Sequence, residues 1–288
     1  MKELVILSGK GGTGKTSITG SFAALARNAV LADCDVDAAD LHLLLGPNVR
    51  ARHDFISGNE AIIDPSRCTQ CGTCAELCRF QAISRKNGRI TLDPFGCEGC
   101  GVCVEFCPEQ AIAFPERHCG EWYESDTVYG PMVHAKLAPA AENSGKLVTR
   151  VRTAARAEAE KRGAELILID GPPGIGCPVI ASLSGATAVL VVTEPTVSGE
   201  HDLGRVLQLA KHFRVPAMVC VNKWDLNPET TLRIEQTTVA AGAVPVGRIP
   251  YDTIFTTAMI NGRTVVDYPE SKAAENIVRI WEQLCQTI

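Results

Sequence analysis

The chain writes one cysteine pattern twice. Asp64-Pro65 leads into Cys68, Cys71, Cys74 and Cys78, and the run closes on Gln81-Ala82-Ile83. Asp93-Pro94 leads into Cys97, Cys100, Cys103 and Cys107, and closes on Gln110-Ala111-Ile112. Spacings this short let three cysteines of one loop wrap a single centre, so the segment is organised by metal ligation. A zinc ribbon would need only four ligands in two pairs, and disulfides would need an oxidising compartment. The chain has 13 cysteines, and its first apolar run, residues 4–7, leads straight into a glycine-rich loop instead of an export signal. The expectation is therefore a reducing cytoplasm.

The doubled run resembles that of the bacterial two-cluster ferredoxins, in which the fourth cysteine of each run ligates the other cluster. The resemblance implies two [4Fe-4S] clusters. Cys68, Cys71, Cys74 and Cys107 would hold one; Cys97, Cys100, Cys103 and Cys78 would hold the second. Arg79 follows Cys78 where Pro108 follows Cys107, a departure that removes no ligand. Asn87-Gly88 between the halves is a hairpin-turn dipeptide.

A second constraint lies at the start of the chain. Residues 4–7 suit a buried parallel strand, and residues 17–28 read as a helix. Between them stands Gly9-Lys10-Gly11-Gly12-Thr13-Gly14-Lys15-Thr16-Ser17. Glycines let backbone N–H groups curl around phosphates at a helix N-terminus, whose dipole favours anions. Lys15 is placed to reach the β- and γ-phosphates of ATP, and Thr16 to bind Mg²⁺. Two further apolar runs end in carboxylates: residues 30–32 before Asp33, Asp35 and Asp37, and residues 166–169 before Asp170. In sheets of this kind ligands bind at the strands' C-terminal ends, where such carboxylates meet Mg²⁺ or the attacking water. Gly145-Lys146 lacks upstream glycines and reads as a turn before a helix.

Lys10 together with Lys15 resembles the deviant Walker A motif of the MinD/ParA superfamily, which includes the nitrogenase iron protein. The resemblance implies that Lys10 contacts phosphate across an ATP-bound dimer and that Asp35 orients the attacking water. It places Asp37 in a first mobile switch near Mg²⁺, and gives Asp170 the role of Walker B aspartate before a second switch at residues 171–176. It also implies base contacts from Asn222 and from Pro250 and Asp252. Residues 170–182 and 129–135 bring the chain closest to MinD-type ATPases with an inserted ferredoxin domain.

Residues 186–193, 215–221 and 243–249 read as further buried strands with helical patterns between them, such as 198–213. The alternation predicts an α/β fold: a doubly wound, mostly parallel P-loop NTPase sheet carrying a small inserted α+β ferredoxin-like domain. The expected domains are a discontinuous ATPase domain, residues 1–61 and 118–288, and an insert of residues 62–117. The insert follows a helix containing residues 38–45 and precedes paired strands over residues 121–137.

The net charge of −5 gives no basic stripe for nucleic acid. No run is long enough to span a membrane, and the terminal helix, about residues 270–288, mixes acidic and basic residues against a membrane-binding role. Of the remaining cysteines, Cys34, Cys220 and Cys285 read as buried small hydrophobes. Cys177 sits at an offset from Asp170 resembling that of a cluster-binding cysteine in the nitrogenase iron protein; it and Cys119 are candidates for a bridging centre in a dimer. The histidines carry no partner motif.

Three functions fit these features. The first is a nucleotide-switched ATPase dimer, of this chain with itself or a relative, that assembles or transfers an iron–sulfur or other metal centre into a client metalloprotein. The second is an ATP-gated electron carrier to a redox partner. The third is a nucleotide-switched binding protein with structural clusters.

Overall fold

Leu4, Val5, Ile6 and Leu7 are all fully buried, so both faces of this short run are covered and it forms a central strand. The computed structural model describes residues 1–139, 141 and 144–288. The first elements are β1 (Lys2–Ser8), α1 (Lys15–Leu25), β2 (Ala29–Asp33), α2 (Leu41–Leu45) and β3 (Asn48–Asn59). The cysteine runs bring β4 (Ile62–Ile63), α3 (Thr73–Leu77), β5 (Ile83–Lys86), β6 (Arg89–Leu92), α4 (Val102–Glu105) and β7 (Ile112–Ala113). Next come β8 (Glu116–Thr127), β9 (Gly130–Leu137), α5 (Ser144–Arg162), β10 (Leu166–Pro173), α6 (Cys177–Leu183) and β11 (Ala188–Thr193). The chain closes with α7 (Val197–His212), β12 (Ala217–Asn222), α8 (Pro228–Ala240), β13 (Val244–Ile249), α9 (Ile254–Ile260) and α10 (Lys272–Thr287).

Two compact units result: Met1–His53 with Trp122–Lys136 and Ser144–Ile288, and Asp54–Glu121 with Leu137–Asn143. The large sheet runs β13-β12-β11-β1-β10-β2-β9-β8-β3. From β13 to β9 every neighbouring pair is parallel. Only two residues join β8 to β9, a link short enough for an antiparallel hairpin but not for a parallel crossover. This gives the mostly parallel α/β sheet that the strand–helix alternation predicts.

Strand alternation sorts the core into two layers. Leu4 and Ile6 of β1, Leu31, Leu168 and Leu190 face α1, α2 and α10 in one cluster. There Phe22 of α1 meets Trp281 of α10 with ring centroids 5.1 Å apart. Val5 and Leu7 point the other way, and Val151 of α5 and Leu203 of α7 are equally buried.

Several sequence expectations change in detail. Helix α1 begins at Lys15, not residue 17, because the left-handed Gly14 forms its N-cap. Helix α2 covers only Leu41–Leu45 of the expected 38–45. Gly145-Lys146 lies inside the first turn of α5, not in a turn before it. Strand β3 was not anticipated; its residues are mostly exposed and show no apolar stripe. Cys34 and Cys220 are buried as expected, but Cys285 is exposed, because the apolar face of α10 is supplied by Ile277, Ile280, Trp281 and Leu284.

The second unit has little secondary structure. Strands β4 and β7 pair antiparallel, Ile62 with Ala113 and Ile63 with Ile112. Strands β5 and β6 form a hairpin, and Asn87 and Gly88 at its turn have φ of 51° and 80°, the signature of the expected Asn-Gly turn. Helices α3 and α4 bury no residue.

Candidate functional site: a phosphate loop and two cysteine quartets

The loop between β1 and α1 is shaped by its glycines. Gly12 and Gly14 have φ of 81° and 88°, left-handed values that few side chains adopt. A Cβ on Gly14 would also lie 2.5 Å from Asn222 Nδ2, so the position admits no side chain. Asn222 ends β12 and donates through Nδ2 to the Thr13 carbonyl (2.8 Å), tying the loop to a neighbouring strand. The N-terminus of α1 has no side-chain cap, and the buried Thr13 hydroxyl has no hydrogen-bond partner. Unpaired donors at a helix N-terminus are the fit a phosphate requires.

Below the loop, acids gather round one lysine. Lys15 Nζ donates to Asp170 Oδ1 (2.9 Å) and lies 3.3 Å from Asp35. Thr16 Oγ1 donates to Asp170 Oδ2 (2.8 Å), and Asp170 is fully buried. Burial works against the Lys15 ammonium, but Asp170 and Asp35 outweigh it and hold its pKa above the usual lysine value. Burial, reinforced by Asp170, raises Asp35 to about 6. Asp33, fully buried behind them, is raised well above the carboxylate range by burial and then by Asp170. Asp170, Asp35 and the Thr16 hydroxyl gather oxygen donors beside one ammonium, a hard donor set that fits a divalent cation.

The cavity in front of the loop measures about 490 Å³. Gly11–Ser17, Asp35, Asn222, Pro250 and Asp252 of the sequence candidates line it, joined by Tyr251 and Phe255. Asp37 is exposed and not among the lining residues. Gly9 packs against Asp202, where a Cβ would meet that side chain at 2.4 Å. Lys10 turns toward Glu194, 2.6 Å away. Sequence reasoning passed over Glu194, which follows β11. Its place at the C-terminal edge of a parallel strand was the available signal.

In the second unit the two cysteine runs interleave. Cys68, Cys71, Cys74 and Cys107 line one cavity. Cys78, Cys97, Cys100 and Cys103 line another. The backbone repeats with the sequence: Gln70 and Gly99 share φ near 60°, Gly72 and Gly101 cap α3 and α4 in the left-handed region, and Gln81 and Gln110 are both left-handed. Asp64 N donates to the Ala111 carbonyl (2.8 Å), and Asp93 N to the Ala82 carbonyl (2.7 Å). One difference concerns sulfur: the Ala111 N–H donates to Cys107 Sγ at 3.3 Å. All 13 cysteines are free. Among the described residues only Asp54, His118 and Glu121 form a trio whose metal-ligating atoms lie within 4.8 Å of one another. No three cysteine sulfurs converge that closely. Cys119 is buried and donates to the Ser57 carbonyl, whereas Cys177, at the start of α6, is exposed.

A glycine-rich loop between strand and helix, with a buried lysine and aspartates at the C-terminal edge of a parallel sheet, defines a P-loop nucleotide-binding protein. More particularly, the chain belongs to the CobQ/CobB/MinD/ParA nucleotide binding domain family, whose pattern matches residues 4–265, and is a P-loop ATPase of the MinD/ParA type. It is similar to the uncharacterized protein MJ0578 of Methanocaldococcus jannaschii, 36% identical over 228 residues, 78% of this chain and 79% of that one. Its fold is similar to that of the cell division ATPase MinD of Pyrococcus furiosus (TM-score 0.60, 19% identity, 100% of this chain and 99% of that one). The septum site-determining protein MinD of Pyrococcus horikoshii, solved with Mg-ADP, is comparably similar (TM-score 0.60, 17% identity, 99% and 96%). Among the described residues no helix is long and apolar enough to cross a membrane.

Proposed function

We propose that this ATPase is an iron–sulfur protein that couples its nucleotide state to the assembly or transfer of an iron–sulfur or other metal centre into a client. One observation carries the reading: each cysteine cavity takes three thiols from one run and the fourth from the other. That crossing is what a ferredoxin-like insert with two [4Fe-4S] clusters requires. Bound clusters would supply one-electron chemistry; the protein's part is to fix eight thiols in two crossed sets.

In the ATPase unit the residues divide the labour. The loop amides from Gly11 to Gly14, with Lys15, would hold the phosphates of ATP, and Thr16 and Asp170 the Mg²⁺ beside them. Asp35, raised to about 6, would accept a proton from or orient the attacking water. Asn222, Pro250 and Asp252 would frame the base. Like the MinD resemblance, this reading makes the active species a dimer with itself or a related ATPase, with slow turnover until a client docks.

A second reading, an ATP-gated electron carrier, draws support from the N–H bond to Cys107 Sγ, since such bonds tune cluster potential. One anaerobic experiment separates the two. Reconstituted protein carrying eight irons per chain is mixed with an apo-ferredoxin acceptor, with and without Mg-ATP. ATP-dependent appearance of cluster on the acceptor supports transfer. Clusters retained through many turnovers, with a midpoint potential that shifts on adding Mg-ATP, would replace it with the carrier reading. A preparation that binds zinc in preference to iron would sink both.

A further inference from the structure

Glu194 touches two lysines beside the phosphate loop, one of which, Lys223, lines the nucleotide cavity. Its Oε1 lies 2.6 Å from Lys10 Nζ and its Oε2 3.0 Å from Lys223 Nζ. Lys10 belongs to the phosphate loop; Lys223 follows Asn222 and also donates to the Gly12 carbonyl of that loop (2.9 Å). Lys10 makes two further bonds, to Thr196 Oγ1 (3.2 Å) and Ser198 Oγ (3.0 Å), at the start of α7. The backbone that carries this carboxylate is itself held in place. Gly199 is packed so tightly that a Cβ there would sit 2.3 Å from the Glu194 carbonyl, and Thr196 caps α7 by accepting from the Gly199 N–H. Glu194 is only 15% exposed, so solvent screens these contacts less than it would a surface pair.

The chemistry of such a bridge is competitive. Phosphate in the Gly11–Thr16 loop is an anion with the same claim on the two ammonium groups as Glu194, and it brings more charge. The bridged carboxylate also repels it. The geometry points to Glu194 as a nucleotide-displaced latch: without nucleotide it holds Lys10 and Lys223 against the loop, and a bound triphosphate takes Lys10 from it. Glu194 is thus a positioning residue acting through the lysines, one that sets the threshold for nucleotide entry. This rests on the P-loop assignment and goes beyond it, since the bland alternative is a static brace that builds the loop. The two differ in sign: removing a brace weakens binding, whereas removing a latch strengthens it.

The test is equilibrium binding of a non-hydrolysable fluorescent ATP analogue to the full chain, with thermal melting as a check on folding. Glu194→Gln keeps the shape and removes the charge; it should bind the analogue about 3–10-fold more tightly. Glu194→Asp, which keeps the charge, should stay within about twofold of wild type. Glu200→Gln, six residues on in α7 and paired with Arg233 instead of Lys10, controls for general repulsion and should change little. In a Lys10→Ala background the Glu194→Gln gain should shrink to under about twofold, because the latch acts through that lysine. Weaker binding by Glu194→Gln, equal tightening by Glu200→Gln, or a full gain without Lys10 would each overturn the latch. A wild-type chain that fails to bind the analogue would instead overturn the nucleotide site itself.

Discussion

The two units are stabilised in opposite ways. In the ATPase unit β1, β10 and β11 are buried on both faces, and helices close a continuous apolar core over them. In the cysteine unit the two helices bury nothing, the small sheets have two strands each, and Phe95 and Phe106 are 67% and 61% exposed. A segment with so little apolar burial does not offset its own chain entropy. The contrast teaches that the first unit is organised by water exclusion, whereas the second, on the proposed ligation, would be organised by its thiols and what they hold, as in small metal-folded domains.

The sharpest way to break this comparison is to remove the iron that the proposed function assigns to the cysteine unit. Anaerobic chelation should open residues 54–121 to protease and leave nucleotide binding by the other unit within about twofold; survival of the cysteine unit to chelator would refute its dependence on metal. Next in size is a matched pair of truncations. Phe22→Ala should cost about 3–5 kcal/mol in urea unfolding, because it empties a fully buried site beside Trp281. Phe95→Ala should cost within about 0.5 kcal/mol, and a large loss there would reveal a core in the second unit. Lys15→Ala should weaken nucleotide binding on the order of 100-fold by deleting a charge-assisted contact, with iron content unchanged. Loss of iron in that variant would show that the units are not separable.

The smallest effect concerns pH. His134 is buried, accepts or donates a 2.9 Å bond with Ser125, and stacks on Tyr123 with centroids 4.9 Å apart. Burial, with a smaller push from His42, lowers its pKa to about 4. The unfolded histidine, near 6.5, takes up a proton that the native one refuses. Stability contributed here is therefore complete above pH 6.5 and is lost as pH falls toward about 4, by about 3 kcal/mol. His134→Gln should flatten that part of the stability curve, and an unchanged slope would assign the acid sensitivity elsewhere.

Much of this was readable beforehand, for physical reasons. Continuous apolar runs such as residues 4–7 and 166–169 have no stable place except a buried parallel strand, and glycines at φ values closed to other residues mark the loop. Strand β3 was not readable, because an exposed edge-side strand needs no apolar stripe. Cys285 was misjudged because a helix of mixed face carries cysteine on either side. The place of Glu194 after an apolar strand was legible, but its partners were not, since they come from the first loop and from the residue after β12 and only the folded sheet brings them together. The histidine stack around His134 has the same origin.

The crossing of the cysteine runs carries a consequence for how such a segment can arise and be lost. On the proposed ligation, each repeat donates its last thiol to its sibling, so neither copy can complete a centre alone. Deleting one repeat would abolish both clusters instead of halving the count. A single repeat would offer three thiols to a centre and need its fourth from a second repeat, so the tandem arrangement makes each half a condition for the other.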